Sequence, residues 1–328
     1  MGDFKNILLR MVLFSSPFLL VIGSYIALDP FKVMFDYSLI EPSYKNVVTD
    51  YMRTEELLKD YEEKRYNTFT LGNSQIQAFK QEYPAMTPYA SYADLHNPGE
   101  SIWNVYKKIK LIDSLGLKLD HVLIIMNAPL INNVRNSNPA YYGTKYIHHP
   151  LTSGQSWYDF QIDCFRFYLA DFYFLKYLDF NIFKNYRSYM EGVIPKGVAL
   201  YEQAEKAKSI SPLEDPLQVN YFYDEKVEKH PVLQIESADR DLLYEMKAIL
   251  SRHESKLCLI FPPNQEVEKI DLEVFREFQT IFGESSVFDF TGKNNVIFSD
   301  TDFIDDVHFK PEVARRILRK IKTQGFEF

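Results

Sequence analysis

The sequence predicts an α/β domain, a parallel sheet wound with helices on both faces, carried behind one apolar N-terminal helix. Three observations predict it. Residues 66–71 read as a short strand, and residues 121–126 and 256–261, after a polar first residue, are short apolar runs of the kind that parallel strands covered on both faces require. Helix-like segments alternate with those runs, which implies a doubly wound sheet. Ahead of them, Met11 to Leu28 contains no charged residue. At 328 residues, 46% of them hydrophobic, the chain can bury a full core without metal or disulfide support. Its 45 acidic against 37 basic side chains leave a net charge of -8, which removes any general attraction to nucleic acid.

Residues 1–29 read as a cytoplasmic start and a membrane anchor. The eighteen residues Met11 to Leu28 would rise about 27 Å as a helix, close to the thickness of a bilayer's hydrocarbon. Lys5 and Arg10 before the run and Asp29 after it favour an N-terminus in the cytoplasm and everything from residue 30 outside, periplasmic or on the cell surface. No small-x-small cleavage site follows, so the reading is an uncleaved single-pass anchor, with a removed signal peptide or a buried core helix as alternatives.

Residues 30–65 read as a tether and lead-in helix, Thr54 to Lys64 being dense in Glu and Lys like a solvated face. The domain proper is expected over 66–328. Tyr66 to Leu71 is a strand broken by Gly72-Asn73, and Ser74 to Phe79 opens a helix. A second helix runs from Ser101 to Leu115 and ends at Gly116, and the strand His121 to Met126 follows. Lys256 to Phe261 is a strand stopped by Pro262-Pro263; Ser286 to Phe290 is another, and Pro311 starts a helix that reaches about Lys322. Between them, at about 130–240, lies an insertion. Of the 33 residues from Trp157 to Tyr189, 14 are aromatic, which reads as a helical insertion packed on the sheet. As a functional surface it would stack on sugar rings or lie at the membrane beside the anchor.

Ser74 falls at the carboxyl end of a strand and the amino end of a helix. There, unpaired N–H groups and the helix dipole favour developing negative charge, although a plain helix cap is the alternative. At the far end of the chain stands Asp305-Asp306-Val307-His308. Asp and His three residues apart let a carboxylate hold one ring nitrogen while the other faces a serine hydroxyl, as a general base requires; an acidic surface loop is the alternative. Adjacent His148-His149 point apart on a strand and have no Cys or carboxylate at ligand spacing, so no metal is expected. Without a Gly-x-x-x-x-Gly-Lys loop or a dinucleotide fingerprint, no cofactor is expected either. Cys258 reads as inert core, Cys164 lies in the aromatic run, and their pairing stays open. Arg315, Arg316, Arg319, Lys320 and Lys322 read as the solvated, dipole-complementing end of the last helix.

Together, Gly72-Asn73-Ser74 early and Asp305-x-x-His308 late resemble the SGNH (GDSL-like) hydrolase superfamily over residues 66–322. The resemblance implies a three-layer, flavodoxin-like α/β/α fold with Ser74 as nucleophile, His308 as base and Asp305, by spacing rather than Asp306, as its orienter. It also implies an oxyanion hole: the Gly99 N–H in the Asn97-Pro98-Gly99-Glu100-Ser101 turn, the Asn127 amide, and the backbone N–H of Gln75. The family's usual Gly-x-Asn-Asp is absent, since the strand ends Met126-Asn127-Ala128-Pro129, so Asn132 and Asn133 stand behind Asn127 and a turn role is its alternative. With its anchor, the chain is similar to membrane-anchored SGNH proteins that modify envelope polymers, among them the D-alanyl transfer protein of teichoic acids and alginate O-acetylation proteins. That likeness implies a serine esterase or O-acyltransferase acting on ester-linked acyl groups, acetyl foremost, of a cell-envelope polysaccharide, with an integral-membrane O-acyltransferase as a partner. The alternative function is a non-catalytic glycan-binding or scaffold protein on the same fold.

Overall fold

A computed structural model of the chain describes residues 2–29, 31–35, 49–86, 91–127, 131, 148–170, 226–231 and 235–328. Helix α1 spans Gly2–Leu28, and residues Phe4–Leu28 are long and apolar enough to cross a membrane. Pro17 lies inside it and cannot donate to the Leu13 carbonyl, but the Ser16 hydroxyl bonds that carbonyl at 2.9 Å. A proline is tolerated in a water-free helix when the acceptor it frees is satisfied in this way.

Helix α1 is followed by a fixed turn. The Asp29 carboxylate accepts from the amides of Val33 at 2.9 Å and Met34 at 3.1 Å, and Phe31 and Val33 are buried. Helix α2 starts at Thr49 and ends at Lys64, five residues longer at its beginning than its Glu and Lys content indicates. Its acidic face is solvated as expected, but its other face buries Asp50, Tyr51, Met52, Thr54 and Leu57.

Strands β1 (Thr68–Gly72), β2 (Tyr92–Asp94), β3 (His121–Ile125), β4 (Lys256–Phe261) and β5 (Val287–Asp289) form one parallel sheet. Their order is 2-1-3-4-5, a doubly wound order whose switch point lies between β1 and β3. Alternate side chains of the strands feed two cores. Phe69, Leu71, Val122, Ile124, Leu257 and Leu259 pack against α3 (Ile102–Ser114), α5 (Ser237–Arg252) and α6 (Leu272–Phe282). On the opposite face, Leu123, Ile125, Cys258 and Ile260 pack against the 3-10 helix Ser74–Glu82 and α7 (Pro311–Thr323).

The described part of the insertion departs from expectation. Helix α4, Trp157–Ala170, packs away from the sheet: its Phe160, Cys164 and Tyr168 join Tyr25, Phe31, Val33, Tyr51 and Met52 in a third cluster. Its apolar stripe at four-residue spacing therefore faces the end of α1 and the start of α2. Cys164 in this cluster and Cys258 in β4 are both free. Residues 171–225 of the insertion lie outside the described residues.

Candidate active site

The site begins at a glycine. Gly72 ends β1 with φ +105°, and a Cβ there would fall 1.9 Å from the Ile125 carbonyl oxygen. Only glycine lets β1 close so tightly on β3. The Asn73 amide then bonds Ile125 O at 3.0 Å, and its side-chain oxygen accepts from the Gln75 N–H at 2.9 Å. Asn73, not Ser74, is thus the helix cap. Ser74 becomes the first residue of the 3-10 helix, with its hydroxyl free for another partner.

That partner is His308. Ser74 Oγ lies 2.6 Å from His308 Nε2, and His308 Nδ1 lies 2.9 and 2.8 Å from the two oxygens of Asp305. An ionised carboxylate only accepts, so the network assigns a proton to Nδ1 and leaves Nε2 to accept from the serine. Burial acts to raise the Asp305 pKa. The amides of His308 (2.7 Å) and Val307 (2.9 Å), with the imidazole, outweigh burial and hold the carboxyl below its ordinary range. Asp306 is exposed, and its backbone carbonyl accepts from the Gln265 amide at 3.1 Å.

Several ties keep the two halves in line. Phe303 and Phe309 form an antiparallel bridge around the loop, and Ile304 N–H bonds His308 O at 2.7 Å. The buried Phe309 ring meets Phe79 of the serine-bearing helix edge-on, with centroids 6.0 Å apart. Arg315 and Arg316, expected to be solvated, pair with Glu82 at 2.9 Å and Asp302 at 2.6 Å. Gln75 was offered by the sequence as a backbone donor, but its N–H is taken by Asn73. Its buried side chain instead bonds the carbonyls of Val307 at 2.7 Å and Pro263 at 3.1 Å. Gln75 therefore holds the histidine loop to the serine turn, a role with no signature in sequence.

The candidate oxyanion donors come from three segments. The Ser74 N–H is the first amide of its helix and has no intrahelical acceptor. Gly99, at φ +66°, lies in a turn held beside β1, where the Asn97 amide bonds Gly72 O at 3.0 Å and the Glu100 amide bonds Asn97 O at 3.1 Å. Asn127 is half-buried and lies two residues beyond Ile125, the β3 partner of Gly72. Asn132 and Asn133 lie outside the described residues.

Behind the Gly99 turn is a buried ionic cluster. Lys108 donates to Leu95 O at 2.7 Å and to Glu100, and forms an ion pair with Asp50 at 2.5 Å. Burial raises Glu100 to about 7 despite the lysine. For Asp50, burial is outweighed by Lys108 and His148, and its pKa is lowered. His148 Nδ1 lies 3.2 Å from Asp50, and His149 Nε2 lies 2.8 Å from Glu55. The carboxylates that occupy both histidines come from α2, nearly a hundred residues earlier. No local spacing could have announced them. No family model matches the chain, and no curated protein or solved structure matches it.

Proposed function

We propose that the chain is a membrane-anchored extracytoplasmic serine esterase or O-acyltransferase that acts on ester-linked acyl groups, acetyl foremost, of a cell-envelope glycan. The observation that carries this reading is the line Ser74–His308–Asp305 at the carboxyl edge of the sheet, beside its switch point. In it, Ser74 Oγ attacks the ester carbonyl while His308 Nε2 takes its proton. The oxyanion forms among the N–H groups of Ser74 and Gly99 and the Asn127 amide. His308 then protonates the departing alcohol and leaves an acyl-serine. Water or a sugar hydroxyl, deprotonated by the same nitrogen, attacks that ester in turn, and Ser74 regains its proton from His308. Asp305 keeps Nδ1 protonated throughout and stabilises the transient imidazolium. The apolar α1, with Lys5 and Arg10 at its start, supports the anchor and its orientation.

The test is covalent labelling of the full chain in detergent with a fluorophosphonate, read by intact mass. Wild type should take one label, Ser74→Ala none, and His308→Ala should label about 10²–10⁴-fold more slowly. A folded wild type that takes no label would favour the glycan-binding scaffold instead.

A further inference from the structure

We infer that the C-terminal end of α4, Tyr168 and Leu169, enters the hydrocarbon of the bilayer beside α1, as a second membrane contact of the domain. The inference rests on α1 being the membrane anchor, and it follows from depth. From Arg10 to Ser24 a helix rises about 21 Å, so with Arg10 at the boundary of a hydrocarbon core about 30 Å thick, Ser24 lies about 9 Å short of the other boundary. Counted from the far end, with Leu28 at that boundary, Ser24 is still about 6 Å inside. Sliding α1 outward enough to free Ser24 would draw Arg10 into the hydrocarbon, which is costly.

Tyr168 is bound at that depth. Its hydroxyl lies 3.0 Å from Ser24 Oγ, and its ring lies 5.4 Å from that of Tyr25, which also meets Phe165 at 5.2 Å. Val21, a further turn inward, packs against the same cluster. At the contact itself Ser24 Oγ also bonds Val21 O at 2.8 Å and Tyr25 Oη bonds Gln161 at 3.3 Å, while Arg166, on the exposed side of the same turn, pairs with Asp163 at 3.2 Å and can snorkel toward the headgroups. The next side chain, Leu169, is 47% exposed. At this depth what covers it is lipid acyl chain, and a leucine suits that surrounding. The domain is thus seated in the leaflet rather than hung above it.

The experiment places single cysteines in the full chain at Leu169, at Val12 within the anchor, and at Leu272, an exposed side chain at the start of α6. Each variant (Leu169→Cys, Val12→Cys, Leu272→Cys) is labelled with a fluorophore and reconstituted in phosphatidylcholine vesicles carrying a nitroxide near the top of the acyl chain. The native cysteines are buried, and the unsubstituted chain serves as the labelling blank. Quenching at Leu169 should exceed that at Leu272 several-fold, with Val12 also quenched. Quenching at Val12 with none beyond the Leu272 level at Leu169 would overturn the inference and leave the anchor standing. An unquenched Val12 would overturn the anchor itself.

Discussion

Replacing Asp305 by asparagine separates an orienting carboxylate from a merely nearby charge. Asp305 Oδ1 accepts two amides, from Val307 at 2.9 Å and His308 at 2.7 Å, while both oxygens face His308 Nδ1. An asparagine that keeps its oxygen on those amides turns its NH₂ toward Nδ1. The imidazole then accepts at Nδ1 and carries its proton on Nε2, against Ser74, where it can no longer take the hydroxyl proton. Acylation should fall by about 10⁴, the size found when a triad carboxylate is amidated elsewhere. Stability should drop by only about 1 kcal/mol, because the loop amides keep an acceptor. Asp305→Ala should be the faster of the two variants, since water can then accept from Nδ1–H and the useful tautomer survives. The assay is the fluorophosphonate labelling rate, with a thermal melt to show folding. An asparagine variant that keeps more than a tenth of the wild-type rate, or outruns the alanine variant, would refute the tautomer argument.

Gly72→Ala would place a methyl group 1.9 Å from a backbone oxygen at φ +105°; strain alone costs about 1–3 kcal/mol, and a melting temperature equal to wild type would contradict this geometry. In the ionic cluster, Lys108→Met leaves the Asp50 and Glu100 carboxylates buried without their cation and should cost about 3–5 kcal/mol in urea unfolding. Glu100 titrates at about 7 when folded, above its ordinary 4.5, so its contribution is complete below that ordinary value and is lost as pH rises through the folded one. Glu100→Gln should therefore flatten the decline in urea midpoint between about pH 5 and pH 8, and an unchanged slope would assign the decline to another group.

Sequence reveals those parts of the protein whose partners are close along the chain. β3 and β4 are legible because both faces are covered and every position after the first, His121 or Lys256, runs apolar. β2 is not, being three edge residues, Tyr92–Asp94, of which only Ala93 is buried, too short to show a period. Asp305 and His308 could be paired because they stand three positions apart; Ser74 stands 234 positions from His308, and only the order of motifs suggested their meeting. The Gln75 backbone donor was misplaced for a local reason, since an asparagine two residues earlier competes for that N–H. Lys108 was invisible for a non-local one: a lysine in an amphipathic helix reads as solvated until α2 brings Asp50 over it. Helix α2 also relates the candidate site to α1. Asp50 reaches through Lys108 to Glu100 and the Gly99 turn, while the next two residues, Tyr51 and Met52, belong to the cluster that seats Tyr25 of α1. Three consecutive residues on one turn of that helix therefore tie the candidate oxyanion turn to α1, so under the proposed function a glycan would reach Ser74 at a height and angle set by the protein rather than by a loose tether.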